Sequence, residues 1–206
     1  MNKANAKNFN KAESTLILSD DISSKLHVYQ ITNENELSVL QTPSADINPN
    51  DPLLQTLAQR MLWTVQDTSH PGVGIAAPQV GINRNAIWVQ RFDKPDEPFE
   101  FYINPKTTWH STLLQRGLEG CLSIPDRKET IHRSYAIHLQ HLDKNGDLIE
   151  EHIEGFTAVI FQHEIDHLHG ILYPDRLDEQ EKKSYALVQD KFVVNFIDTA
   201  TTSLQL

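Results

Sequence analysis

The chain is organised around Gln162-His163-Glu164-Ile165-Asp166-His167-Leu168-His169-Gly170, which contains an H-E-x-x-H pattern at positions 163–167. In a helix, His163 and His167 lie one turn apart on the same face, so both imidazoles can bind one divalent metal ion. Glu164 then lies beside the metal, where its carboxylate can move a proton to and from a bound water. The pattern predicts a metal-binding helix that carries its own general base.

The neighbouring residues predict that this helix is buried. Phe156 and the run Ala158–Phe161 precede the pattern, and Ile165 and Leu168 interrupt it, so the helix is apolar nearly all round. The alternative is an exposed helix with an ordinary polar face. Buried His and Glu side chains are costly without partners, so a buried helix needs a metal ion or a hydrogen-bond network here. Gly170 is placed to end the helix as its C′ residue.

Length and charge limit the class of protein. The chain has 206 residues and a formal net charge of −10, which favours one domain and argues against direct nucleic acid binding. No run of apolar residues is long enough to span a membrane. The N-terminus lacks the apolar core of a secretory signal and the Arg-rich, acid-poor character of a transit peptide. We therefore expect a cytoplasmic protein without a membrane segment.

Cys121 is the single cysteine, so no intramolecular disulfide can form and a reducing compartment is expected. A lone cysteine is by default a small buried apolar residue. Here it lies in the polar, glycine-marked stretch Glu119–Ser123, which favours a metal ligand instead.

Three regions are expected along the chain. Residues 1–36 are rich in Asn, Lys and Ser and are predicted to be a weakly ordered N-terminal extension, with at most one docked strand at Leu16–Leu18 or Leu26–Ile31. Residues 37–198 are predicted to form a single catalytic domain, and residues 199–206 a frayed C-terminus.

Periodicity and turn signals predict two helices and several strands within the domain. One helix begins near Asn50–Pro52 and ends near Gln66, and another, capped by Asp178, runs from Glu179 to about Phe196. An Asn145-Gly146 turn joins two strands into a hairpin. The predicted strands are Ala86–Gln90, Phe99–Asn104, Thr107–Leu113, Thr130–Leu142 and Leu148–Ile153, with His132, His138, His141 and His152 facing solvent.

The block Pro71–Gly81 contains glycines that permit close approach by another backbone, as a bound peptide would require. It does not match the G-x-G-x-x-G dinucleotide pattern, and an ordinary tight loop is the alternative.

Three separated blocks now resemble a known family. Gly72–Gln79, Glu119–Ser123 and Gln162–Leu168 are similar, in order and character, to the three motifs of peptide deformylases, the metalloenzymes that remove the N-formyl group from new polypeptides. The resemblance covers roughly residues 37–195. It implies an α+β fold in which antiparallel β-sheets wrap around a central buried metal-binding helix.

The resemblance also implies residue roles and partners. The substrates would be N-formylated nascent peptides, met near the ribosome exit, and the cofactor one divalent metal ion, Fe²⁺ in the cell, with Zn²⁺ or Ni²⁺ possible as isolated. The implied residues are Cys121, His163 and His167 as metal ligands; Glu164 as general acid and base; Gln79 and the Leu122 amide as oxyanion donors; Val73, Gly74 and Gly120 as the peptide-binding backbone; and Val159 and Ile160, with Val73, Leu122 and His163, as the methionine pocket.

Departures from the family pattern leave alternatives open. Many members carry an arginine seven residues after the cysteine, whereas this chain has Lys128, a point charge in place of a planar fork. An altered-specificity copy would be compatible with this change. A non-catalytic formyl-peptide binder is a separate alternative, but that role would not need Glu164 and Gln79 together. An H-E-x-x-H zinc peptidase would need a further His or Glu ligand downstream, and His169 follows His167 too closely to supply it.

Overall fold

The structure is a computed structural model that describes residues 6–195. The helices are α1 Lys11–Ile17, α2 Glu34–Leu40, α3 Leu54–Val65, α4 Gly155–Leu168 and α5 Tyr173–Gln180, with a 3-10 turn at Ala77–Val80. The strands are β1 Gly74–Ala76, β2 Ala86–Gln90, β3 Phe99–His110, β4 Leu113–Cys121, β5 Ile124–Ser134, β6 Ala136–Leu142, β7 Leu148–Glu154, β8 Tyr185–Gln189 and β9 Phe192–Asn195. None of the described helices is long and apolar enough to cross a membrane.

Two antiparallel sheets enclose the helix α4. The first has the strand order β1-β2-β3-β6-β7 and the second β5-β4-β9-β8. Helix α4 packs against five strands of the first sheet and against β5 of the second. The predicted α+β fold, with antiparallel sheets around a central buried helix, is confirmed.

The sequence explains where α4 lies and where it ends. Ala158, Ile160, Phe161, Ile165 and Leu168 are buried in the core that the first sheet covers. Gly170 follows the helix at φ +72°, and a Cβ there would overlap the backbone carbonyl of Gln41, so only glycine fits this C′ position.

Several strands have bounds that differ from those predicted. β2 and the β6–β7 hairpin form as predicted, but the two segments predicted at 99–104 and 107–113 are one continuous strand, β3. The single strand predicted at 130–142 is divided at Tyr135 between the two sheets. His141 is buried rather than solvent-facing, because its ring packs edge-on against Tyr102 and its Nε2 lies 3.1 Å from Glu151.

The predicted last helix is wrong. Helix α5 ends at Gln180, and the chain then forms the hairpin of β8 and β9 around Asp190, whose φ is +41°. Val193 and Val194 are β-branched, and β9 pairs with β4 over Leu113–Gln115, a non-local contact that helix periodicity does not detect. The predicted end near Phe196 and the predicted frayed tail at 199–206 lie outside the described residues.

Residues 6–36 differ from the expected weakly ordered extension. α1 and α2 are capped by Asn10 and Asn33, and the residues predicted as a strand at 16–18 lie at the end of α1. Ile17 and Leu26 are buried. The guanidinium of Arg60, itself buried, donates to backbone carbonyls of Ile17, Ser24 and Lys25 and so ties this segment to α3.

Candidate metal centre

Three potential metal ligands converge at the centre of the fold. Cys121 ends β4, while His163 and His167 lie one turn apart on α4. Their ligand atoms lie within 4.8 Å of one another, and Cys121 Sγ is 3.3 Å from His167 Nε2. The structure thus brings together the three ligands expected from distant parts of the sequence.

A chain of charged residues holds His163 in place. His163 Nδ1 lies 2.9 Å from Glu119 Oε2, and Arg133 binds the same carboxylate at 2.9 and 3.0 Å. Arg133 also pairs with Asp166, which Arg176 binds in turn. Because Glu119 accepts a hydrogen bond from the Nδ1–H group, the imidazole presents Nε2 towards the other two ligands.

These neighbours keep the Glu119 carboxyl ionised. Burial opposes its ionisation, but the hydrogen bonds from His163 and Arg133 outweigh burial and lower its pKa to about 2. Asp166 behaves in the same way, since Arg176 and Arg133 hold its pKa below the ordinary value despite burial.

The surroundings of Cys121 favour the thiolate form of its side chain. Burial disfavours the charged sulfur, yet the imidazoles of His167 and His163 hold the pKa of Cys121 well below its ordinary value. The sulfur also accepts hydrogen bonds from Gln79 Nε2 and from the Ser123 backbone N–H, each at 3.4 Å. A thiolate is the form of cysteine that binds metal.

The site fits a divalent metal ion. Two imidazoles and a thiolate are three of the four ligands in an open tetrahedral site, and the fourth position is left for water or substrate. Two buried polar atoms at the site, Glu164 Oε2 and His167 Nδ1, have no hydrogen-bond partner among the described residues. Cys121, His163 and His167 also form the one grouping of three possible ligands found in residues 6–195, so the extra His or Glu of a zinc peptidase is not seen there.

Glu164 lies beside the ligands in a closely fitted position. Its side chain is buried, and a Cβ added to Gly74 would lie 2.5 Å from Glu164 Oε1. Burial raises the pKa of this carboxyl to about 7, against the lowering effect of the adjacent His163 and His167. A group with a pKa near neutrality can both accept and return a proton.

Gln79 and Leu122 both lie close to Cys121, one through its side chain and the other as the next residue of the chain. Gln79 Oε1 accepts the Ala76 backbone N–H at 2.9 Å, which fixes the amide so that Nε2 points to Cys121 and to Ser123 Oγ, 3.2 Å away. Leu122 lies in the turn between β4 and β5, and its carbonyl accepts Gln30 Nε2 at 2.9 Å. Gln79 therefore presents its side-chain amide to the cysteine sulfur, and Leu122 directly follows that cysteine in the chain.

A cleft of about 370 Å³ opens onto this centre. The wall of the cleft contains every residue predicted for substrate binding, and its rim includes exposed apolar side chains, with Phe156 49% and Leu118 67% exposed. The predicted lining residues are Val73, Gly74, Gly120, Leu122, Val159, Ile160 and His163.

The sequence does not single out several residues that contact this centre directly or through a neighbour. It predicts only a strand at Arg133 and an N-terminal extension at Gln30. Asp166 and Arg176 carried no ligand spacing of their own. An arginine on the apolar face of a strand, as Arg133 is, indicates a carboxylate partner, because buried charges are normally paired.

Comparisons with known proteins point to one family. Residues 26–183 match the sequence model of the polypeptide deformylase family. A peptide deformylase from Caulobacter sp. (strain K31) is 36% identical over 156 residues, covering 75% of this chain and 89% of the relative. One from Prochlorococcus marinus (strain NATL2A) is 34% identical over 190 residues, covering 91% of both chains.

Solved structures share the fold. The Met-Ala-Ser bound class I type b peptide deformylase from Acinetobacter baumannii has a TM-score of 0.65 and 34% identity, covering 75% of this chain and 99% of that one. A probable peptide deformylase from Synechococcus phage S-SSM7 has a TM-score of 0.66 and 31% identity, covering 74% and 99%.

Proposed function

The chain belongs to the polypeptide deformylase family, the metal-dependent hydrolases that remove the N-formyl group from newly made polypeptides, and we propose that Cys121, His163 and His167 hold the metal ion for this reaction. The observation that supports this assignment is the convergence of one sulfur and two imidazoles within 4.8 Å. When bound, a divalent ion supplies a Lewis acid and a water of lowered pKa.

We propose the following roles for the surrounding residues. Glu164 takes a proton from the attacking water and returns it to the leaving amine nitrogen as the C–N bond breaks, so formate and a free N-terminal amine result. Gln79 Nε2 and the Leu122 N–H donate to the formyl oxygen as negative charge develops on it. The loss of one donor of this kind typically costs about 3 to 4 kcal/mol of transition-state stabilisation.

The cleft supplies substrate recognition. The backbone at Val73, Gly74 and Gly120 would pair with an extended peptide, which permits many sequences because main-chain bonds carry the affinity. Val159 is 8% and Ile160 3% exposed, and they form an apolar wall beside His163 that suits a methionine side chain. The Acinetobacter baumannii relative, with Met-Ala-Ser bound, supports formyl-Met-Ala-Ser as the test substrate.

We extend the proposal to the metal and the setting. Fe²⁺ is the proposed ion in the cell, while the usual order of divalent affinities favours Zn²⁺ or Ni²⁺ after aerobic purification. Formylated N-termini arise where polypeptides are made, so the proposed setting is the cytoplasm near the ribosome exit. Elemental analysis of anaerobically purified enzyme, with formate release measured on the same sample, tests the metal assignment.

Glu164→Ala is the test of the mechanism. The variant should bind as much metal as the parent, because its three ligands are intact, but lose turnover by about three orders of magnitude. Formate release is measured with formyl-Met-Ala-Ser, and metal content by elemental analysis. Glu150→Ala, on the exposed part of β7, is the matched control and should keep full activity. Normal turnover by Glu164→Ala would refute the assigned role, whereas loss of both metal and turnover would instead implicate Glu164 in metal binding.

A further inference from the structure

Residues 29–31 bind the two turns that carry the proposed oxyanion donors, Gln79 and Leu122. The Tyr29 N–H donates to the Gln79 carbonyl at 2.8 Å, and the Ile31 N–H donates to the Ser123 carbonyl at 3.0 Å. Between them, Gln30 Nε2 donates to the Leu122 carbonyl at 2.9 Å. Three successive residues of the N-terminal segment therefore bind the 3-10 turn on one side and the β4–β5 turn on the other.

Gln30 is itself held firmly. Its backbone N–H donates to Glu36 Oε2 at 2.6 Å, and its Nε2 also donates to the Val28 carbonyl at 3.1 Å. Both amide hydrogens of the side chain thus have acceptors, which fixes the orientation of the amide.

The peptide group that Gln30 binds also contacts the metal-ligand sulfur. The Leu122 carbonyl oxygen and the Ser123 N–H belong to the same peptide unit, and the N–H donates to Cys121 Sγ at 3.4 Å. A hydrogen bond accepted by the oxygen of a peptide polarises the unit and makes its N–H a stronger donor. The bond from Gln30 therefore strengthens the N–H···S contact and also fixes the backbone of Leu122.

We propose that Gln30 is a positioning residue for the reaction, acting through the Leu122–Ser123 peptide on the Cys121 ligand and on the adjacent Leu122 oxyanion donor. This inference rests on the proposed function, since it takes Cys121 as a metal ligand. It assigns a role in the active site to a segment that precedes all three motif blocks.

The test uses full-length enzyme loaded with Co²⁺, whose sulfur-to-cobalt charge-transfer band reports on the thiolate. Gln30→Met keeps the length of the side chain but removes its N–H donor. A weaker N–H···S bond raises the energy of the sulfur lone pair, so the band should move to longer wavelength. We expect kcat on formyl-Met-Ala-Ser to fall about tenfold, the scale typical of partners that orient metal ligands. KM should stay within about twofold, because substrate contacts are unchanged.

Two further variants separate positioning from a general loss of stability. Gln30→Lys restores an N–H donor on a side chain of similar reach and should recover most of kcat and the position of the band. Asn83→Leu is the matched control, because Asn83 Nδ2 also ties two carbonyls together, those of Val39 and Thr42, away from the sulfur. It should lower the unfolding temperature but leave the cobalt band where it is.

The possible failures are distinguishable. A wild-type cobalt enzyme without a thiolate band would overturn the assignment of Cys121 as a ligand, and this inference with it. A wild-type band that is unchanged in Gln30→Met, with unchanged kcat, would overturn the role of Gln30 alone. An equal shift of the band in Asn83→Leu would do the same, because it would trace the effect to loosened packing.

Discussion

At two positions near this centre, the available space limits which residue can be present. Gly74 lies against the Glu164 carboxylate, and Gly72 would place a Cβ 3.0 Å from side-chain atoms of Leu122 and Val65. Neither glycine has a positive φ, so each is required by close approach rather than by backbone conformation. Glu164, the proposed general base, fits beside the proposed metal ligands because Gly74 has no side chain to occupy the same space.

Gly74→Ala should therefore damage catalysis without removing a catalytic group. The new methyl group would displace the Glu164 carboxylate, and a misplacement of about 1 Å can cost about a hundredfold in rate. We expect kcat/KM on formyl-Met-Ala-Ser to fall on that scale while metal content stays normal. Gly117→Ala is the control, because a Cβ at Gly117 on β4 meets no atom within 4 Å. Unchanged kcat/KM in Gly74→Ala would show that Glu164 does not need its observed position.

At the scale of elements, the N-terminal segment behaves as part of the domain. Arg60 lies on α3 and is 2% exposed. Its guanidinium donates hydrogen bonds to backbone carbonyls within residues 16–25. A buried carbonyl that loses its donor is costly, so this arginine is an important polar link between α3 and the end of α1.

Arg60→Met should loosen that segment. It keeps an apolar stem but leaves several carbonyls without a donor, so we expect a loss of about 2 to 3 kcal/mol in the free energy of unfolding. Urea unfolding measures the loss, and faster amide hydrogen exchange in α1 locates it. Arg127→Met removes an exposed pair with Glu129 and should change stability by less than about 0.5 kcal/mol. Equal losses in the two variants would contradict the proposed anchoring.

In addition to its backbone pairing with β6, the edge strand β7 contacts its sheet through the charged side chain of Glu151. Glu151 lies 3.1 Å from His141 Nε2 and 2.8 Å from Arg91 Nη1. The hydrogen bond with His141 is the largest influence; together with Arg91 it outweighs burial and lowers the pKa of Glu151 to about 2, from an ordinary 4.5. Because the folded-state pKa is the lower one, the stabilisation is present above about pH 4.5 and is lost as the pH falls towards 2.

Glu151→Gln should remove that pH dependence. We expect the variant to be less stable than the parent at pH 7 and the difference to shrink as the pH falls from about 5 towards 2. Urea unfolding at several pH values measures both curves. Glu150→Gln, next to it on the opposite face of β7, should follow the parent curve. A constant difference between Glu151→Gln and the parent at all pH values would rule out titration of Glu151 as its source.

For the whole molecule, the proposed metal site joins parts of the chain that lie far apart in the sequence. Cys121 belongs to the second sheet, and His163 and His167 belong to the helix that the first sheet covers. An ion bound by all three stabilises the folded state by mass action, since the unfolded chain does not hold the ligands together.

Chelation should therefore lower the unfolding temperature. At a free metal concentration of 100 times Kd, the ion contributes about 2.7 kcal/mol. For a chain of this length, that corresponds to a shift of about 5 to 10 °C, which calorimetry with and without a chelator can measure. Cys121→Ser should show a much smaller chelator effect. An identical unfolding temperature for parent enzyme with and without metal would contradict the site.

The local sequence determined the elements that depend on short-range rules. The spacing of His163 and His167 follows from the helical repeat, strand β2 from a short β-rich run, and the β6–β7 hairpin from Asn145-Gly146. The three motif blocks were enough to identify the family and to list the residues of the cleft, because each role depends on a residue type at a fixed local position.

Tertiary structure alone decided the rest. Arg133 meets Glu119 and Asp166 only because β4 and β5 pair beside α4, and Gln30 reaches Leu122 across 92 positions of sequence. The hairpin β8–β9 forms in place of a predicted helix because β9 pairs with β4, a strand that lies far away in the chain. Such contacts depend on which surfaces meet after folding, and periodicity within a single segment carries no information about its distant partner.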